Sequence, residues 1–192
     1  MTDIILYPTE TLYGLGVNAL DPAELTDLFE LKGRDATKVA TWLVRDINDI
    51  AKYAELTPNA TKIAERFLPG ALTLVLMTND TVPPDVKAED GTIGFRISSD
   101  PIAEQVIEAY MHENDAPLTC TSANLSGAPA FPTVEEILQQ FGEHADMITQ
   151  IIDDGPRKGL ASTVVRVIRD EVTVLREGEV SEADIMDVVK SG

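Results

Sequence analysis

Apolar and polar positions alternate along the chain on two periods, and the switches between them mark the elements. Short apolar runs at 4–7, 41–44, 72–76, 118–120 and 148–152 read as strands, the first ended by Pro8. Residues 92–97 alternate on a period of two: Ile93, Phe95 and Ile97 share one face, and Thr92, Gly94 and Arg96 share the other. Residues 162–168 and 171–175 read as a hairpin joined at Arg169-Asp170. Helix starts are written in capping residues: Asp21-Pro22, Thr57-Pro58, Asp100-Pro101, Thr133 and Ser181. Each is followed by apolar residues three and four apart, such as Leu25, Leu28 and Phe29 in a helix that should end near Leu31. The spacers 8–16 and 78–91 read as loops, the second solvated. Strands alternating with helices imply an α/β fold.

Composition narrows the class. The chain of 192 residues is 44% hydrophobic and 25% charged, which fits one domain spanning 1–192. No apolar run is long enough to cross a bilayer, the first residues carry no basic, apolar export signal, and a single cysteine fits a reducing compartment, so a cytoplasmic location is expected. Acidic residues outnumber basic ones 33 to 15, for a net charge of -18. That surface repels phosphate backbones and anionic lipid, so a membrane role is excluded and direct tRNA binding is not expected. It also suggests a cell with high internal salt, a halophile, where repulsion between carboxylates is screened.

Against this background the cations stand out. Lys32, Arg34 and Lys38 fall within seven residues at the end of the first helix. Cations favour a helix C-terminus, but three together on so acidic a chain point to a bound polyphosphate. Thr119, Thr121, Ser122, Asn124 and Ser126 give 117–127 a dense set of donors and acceptors at the carboxyl end of a strand, where open α/β sheets hold ligands. Arg96 on its strand needs either an acidic side chain or a carboxylate ligand. Trp42 reads as core or pocket wall, and Cys120 as a small buried residue rather than a nucleophile. His112 and His144 stand apart from every cluster, which disfavours a histidine triad or metal site, and neither a Walker A sequence nor a dinucleotide fingerprint is present.

Four stretches taken together resemble the YrdC/Sua5 family of threonylcarbamoyl-AMP synthases: YPTETLYGLG at 7–16, ELKGR at 30–34, PGALTLVL at 69–76 and TSANLSG at 121–127, with GTIGFRI and STVVRV in the same order. The resemblance implies a YrdC-like single domain, with a twisted mixed β-sheet flanked by helices and a cationic groove. It implies synthesis of L-threonylcarbamoyl-AMP and pyrophosphate from L-threonine, bicarbonate and ATP, usually with Mg²⁺. The product serves t6A modification of tRNA through a separate transferase. By the same resemblance Lys32, Arg34 and Lys38 bind phosphate, and Thr92, Ser122, Asn124 and Arg176 contact the nucleotide. Thr11, Tyr13, Arg96 and Ser162 surround threonine, with Arg96 as the carboxylate fork. The chain departs from the family in placing Asp35 after Arg34, where proline is usual; an added carboxylate there weakens the local field. A non-catalytic nucleotide- or RNA-binding module, and a carbamoyl-transfer role like that of the related domain in hydrogenase maturation proteins, remain as alternatives.

Overall fold

The computed structural model describes residues 2–34 and 39–191, so Lys38 and Asp35 lie outside the described residues. The elements in chain order are β1 (Ile4–Pro8), β2 (Tyr13–Gly16), α1 (Pro22–Leu31), β3 (Trp42–Leu43), α2 (Ile47–Tyr53), α3 (Pro58–Phe67), β4 (Leu72–Met77) and β5 (Thr92–Arg96). The second half contains α4 (Pro101–Asn114), β6 (Leu118–Thr119), β7 (Thr121–Ser122), α5 (Val134–Phe141), β8 (Ile148–Ile151), β9 (Thr163–Ile168), β10 (Glu171–Arg176) and α6 (Glu182–Lys190).

The helix starts form where the capping residues predict them. The side chains of Asp21, Thr57, Asp100, Thr133 and Ser181 each accept from a backbone N–H in the first turn that follows. Four expectations need correction. The spacer 8–16 is not all loop, because Tyr13–Gly16 is the strand β2, paired antiparallel with β1. Thr121–Ser122, read as loop, pairs with β2 as β7. The helix α2 went unread, and its N-cap Asp46 accepts from Asp49 N. The stretch 78–91 is not simply solvated, since Val82 and Val86 are buried and anchor it to the core.

The strands form two mixed sheets flanked by helices, in the orders β7-β2-β1-β8 and β10-β9-β4-β5-β3-β6. β9 and β10 are the expected antiparallel hairpin, and β9 also runs parallel to β4. The burial of β9 alternates along its length, as a strand with one packed face should. β1 is buried on both faces: Ile4 and Leu6 join the larger apolar cluster, while Ile5 and Tyr7 join a smaller one beneath α4. Trp42 is fully buried, edge-on to Tyr53 and Phe95 at 5.4 and 5.7 Å between ring centroids, so it is core.

One junction positions the site. β6 ends one edge of the six-stranded sheet, β7 ends one edge of the four-stranded sheet, and only Cys120 separates them in the chain. The Tyr7 hydroxyl donates to the Thr119 carbonyl at 2.8 Å and Val17 N donates to Thr119 Oγ1 at 3.0 Å, which fastens the crossing. The hydroxyl-rich 121–127 segment is thereby held facing β5.

Candidate active site

The alternation of the six-stranded sheet sends Thr73 and Val75 of β4, Thr92, Gly94 and Arg96 of β5, and Ser162 and Val164 at the start of β9 toward one cavity of about 450 Å³. The β1–β2 turn, Arg34 and the 121–124 segment close it from other sides. Gly94 keeps its floor open. A Cβ there would lie 3.0 Å from Thr73 Cγ2 and 3.2 Å from Thr41 Oγ1, so any larger residue would crowd both neighbours.

At one end stands Arg96, 7% exposed. Its Nη2 donates to Glu10 Oε1 at 2.7 Å and to Thr11 Oγ1 at 2.6 Å. Ser98 Oγ donates to the other oxygen of Glu10. The Arg96 Nε is buried with no partner. The arginine thus has the acidic partner that a structural reading required and still offers an unsatisfied N–H. The sequence marks Thr9 and Glu10 only as polar reach on the 8–16 loop; their contact with Arg96 depends on that turn folding back onto a strand more than eighty residues away.

Tyr13 lines the same end, its hydroxyl donating to the Gly155 carbonyl at 2.8 Å and accepting from Asp154 N at 3.1 Å. Burial raises its pKa, so it stays a neutral phenol. Ser162 Oγ shares a hydrogen bond of 2.9 Å with Thr73 Oγ1. Arg176 forks its Nη2 and Nε onto the Ser162 carbonyl at 2.7 and 3.2 Å. Cys120 is 9% exposed and borders the cavity, consistent with a small buried residue.

The other end is built by the turn after α1. Arg34 N donates to Phe29 O at 2.9 Å, its guanidinium lies over the Phe29 ring, and Nη2 donates to the Val39 carbonyl at 3.2 Å. Lys32 is differently used. Its Nζ donates to the carbonyls of Ser122 and Asn124, while its own carbonyl accepts from Ser126 N at 2.8 Å. The lysine therefore fastens the 121–127 segment and lies behind the cavity lining. Burial, and then the nearby Arg34, lower its pKa to about 7. Asn124 Nδ2 donates to the Ala128 carbonyl at 2.7 Å and Thr92 Oγ1 donates to Asp90 at 2.7 Å, which fixes both side chains at the rim.

Among the described lining residues are three arginines, Arg34, Arg96 and Arg176, and no carboxylate. Burial lowers the pKa of Arg34 and of Arg176, and Arg96 adds to the effect on Arg176. Arg96 has Glu10 as its counter-charge, whereas Arg34 and Arg176 have no ion pair among the described residues, so an anion entering the cavity offsets the cost of holding those two charged. Among the described residues no group of three or more His, Cys, Asp or Glu could hold a metal ion.

The family model for Sua5, YciO and YrdC proteins, described as "Telomere recombination", matches residues 2–178. The chain belongs to the Sua5/YciO/YrdC family. A Methanocaldococcus jannaschii relative is 36% identical over 176 residues, covering 91% of this chain and 79% of its own length. A Pyrococcus abyssi protein named threonylcarbamoyl-AMP synthase is 33% identical over 188 residues, 97% of this chain. The solved structure of Pyrococcus abyssi Sua5 complexed with L-threonine superposes with a TM-score of 0.86 at 32% identity, covering 97% of this chain and 53% of that one. The chain thus spans about half the length of the Pyrococcus relative it matches. Every described residue around the cavity lies within the 2–178 span of the family model.

Proposed function

We propose that the chain is a threonylcarbamoyl-AMP synthase, converting L-threonine, bicarbonate and ATP to L-threonylcarbamoyl-AMP and pyrophosphate. The observation that carries this reading is one cavity with arginines at both ends and no acidic residue among its described lining, in a protein of net charge -18.

In this reading Arg96 takes the threonine carboxylate through its free N–H groups, with Thr11, Tyr13 and Ser162 around the amino acid. Arg34 and Lys38 meet the phosphates. Arg176, Thr92, Ser122 and Asn124 contact the nucleotide, and Lys32 holds the 121–127 segment against it. The neutral threonine amine attacks the carbon of bicarbonate, and the amine proton leaves with the bicarbonate hydroxyl as water, giving a carbamate. A carbamate oxygen then attacks the α-phosphorus, and the bond to the bridging oxygen breaks with its electron pair leaving on pyrophosphate. Positioning and charge neutralisation supply the catalysis, and no strong general base is required. Mg²⁺ in this reading enters on the triphosphate as part of the substrate.

The product is an activated acyl adenylate, to be consumed by a separate transferase acting on tRNA; the acidic surface opposes direct tRNA binding by this chain. We place the reaction in the cytoplasm, in a cell where salt screens the carboxylates. No helix among the described residues is long and apolar enough to cross a membrane. The test is pyrophosphate release from ATP in buffers spanning low to molar KCl. Release that requires both threonine and bicarbonate supports the synthase. ATP binding without turnover at any salt concentration would favour a nucleotide-binding module, and a requirement for carbamoyl phosphate would favour carbamoyl transfer.

A further inference from the structure

The connection between β8 and β9 crosses the outside of the β1–β2 turn, and one side chain in it is engaged far beyond an ordinary surface arginine. Arg157 Nε donates to the Thr9 carbonyl at 3.1 Å. Its Nη1 donates to the Asp154 carbonyl at 2.8 Å, and its Nη2 reaches Asp154 Oδ2 at 2.7 Å and Asp100 Oδ2 at 3.2 Å. The guanidinium carbon lies 5.9 Å from the centroid of the Tyr13 ring. Two residues on, Gly159 N donates to the Thr11 carbonyl at 3.0 Å. A Cβ on Gly159 would come within 2.7 Å of Thr11 Cα, so the two backbones lie against each other.

Arg157 is not part of the cavity lining, yet two chains of contact lead from it to Arg96. The first runs through the backbone of Thr9, whose hydroxyl shares a hydrogen bond of 3.1 Å with Thr11 Oγ1; that oxygen accepts from Arg96. The second runs from Asp100, whose N–H donates to Ser98 Oγ at 3.2 Å, through Ser98 to Glu10 and so to Arg96. Only a planar guanidinium has enough donors, suitably angled, to hold a carbonyl of one segment and carboxylates of two others together. Asp100 also caps α4, so the arginine ties the turn to a rigid element.

We propose that Arg157 is a positioning residue that sets the threonine-binding end of the cavity by fixing the 9–13 turn against Asp100. The proposal rests on the synthase reading and names a residue that governs one substrate and not the other. Lys158, exposed and adjacent, carries the same charge and serves as the control.

The experiment measures threonine and ATP KM by pyrophosphate release, and threonine binding by calorimetry, for the wild type and for Arg157→Ala, Arg157→Lys and Lys158→Ala. For Arg157→Ala the threonine KM and Kd should rise by about tenfold or more, because displacement of binding groups by an ångström is costly. The ATP KM should stay within about twofold, the expectation for a change confined to one subsite. Arg157→Lys should recover part of the loss by keeping the carboxylate contacts, and Lys158→Ala should match the wild type. Threonine constants unchanged in Arg157→Ala, or rising in parallel with ATP, would overturn the proposal while leaving the synthase reading intact. Should Arg157→Ala fail to fold, the same comparison is made on Arg157→Lys, where a rise confined to threonine supports the proposal and unchanged constants overturn it. Wild-type pyrophosphate release that ignores threonine would remove the synthase reading and this inference together.

Discussion

The Arg96–Glu10 pair separates a structural salt bridge from a substrate receptor, because the two roles predict opposite outcomes for the same pair of variants. The ions meet at 2.7 Å with side chains 9% and 16% exposed. Arg96→Met leaves Glu10 largely buried without its counter-ion, a loss of about 3 to 5 kcal/mol for a fully buried pair. Ser98 still donates to Glu10, which argues for the lower end, about 3 kcal/mol, or a fall in Tm of roughly 6 to 12 °C for a chain of this size. Glu10→Gln removes the competing carboxylate and leaves the guanidinium charged. The double variant has no uncompensated charge, so it should regain about 2 kcal/mol of stability relative to Arg96→Met. Threonine affinity should follow another order. Arg96→Met, alone or in the double variant, should weaken it by about 2 to 5 kcal/mol, the usual loss for a buried charge contact. Glu10→Gln should hold it or tighten it, since Arg96 is freed for the substrate carboxylate. Urea unfolding and threonine calorimetry on the three variants give both quantities. If the double variant recovers threonine affinity along with stability, Arg96 is structural only and its assignment as receptor is wrong.

Three further outcomes follow from particular contacts. Arg34→Ala should weaken ATP by about 2 kcal/mol with little change in threonine KM, as read from pyrophosphate kinetics. Asp49 is buried; burial alone would raise its pKa, but the paired bonds from Arg45 and the contact from Lys52 outweigh that and bring it to about 2. A lowered folded pKa means stability present above the ordinary carboxylate range and lost as pH falls, so the Asp49→Asn variant should lack about 2 kcal/mol of wild-type stability near pH 6. That difference should narrow between about pH 4 and pH 2 in urea titrations. Gly178→Ala should destabilise by about 3 kcal/mol or more, because its Cβ would lie 2.0 Å from the Ala161 carbonyl oxygen and 2.8 Å from the backbone of Ser162. A melting curve matching the wild type would refute that clash.

Features that depend on near neighbours are legible in the chain. A cap needs one side chain within three residues of the N–H groups it satisfies, so Asp21, Thr57, Asp100, Thr133 and Ser181 could be read directly. The alternation of 92–97 put Gly94 and Arg96 on one face before any partner strand was known, and the hairpin at Arg169-Asp170 is equally local. β2 and β7 escaped because they are short and rich in glycine and hydroxyls: β7 becomes a strand only by pairing with the distant β2, and β2 by pairing with both its neighbour β1 and β7.

How the cations are used depends on contacts between segments far apart in the chain. Lys32 and Arg34, two residues apart and chemically alike on paper, part company because loop carbonyls ninety residues downstream claim the lysine and leave the arginine beside the cavity. Arg96 acquired Glu10, and Arg157 acquired Thr9 and Asp100, through closures that hydrophobic packing of the two sheets drives and that no local pattern encodes. Which groups face one another across a cavity is fixed by the packing of segments far apart in sequence; the chemistry each can perform is fixed by its residue type.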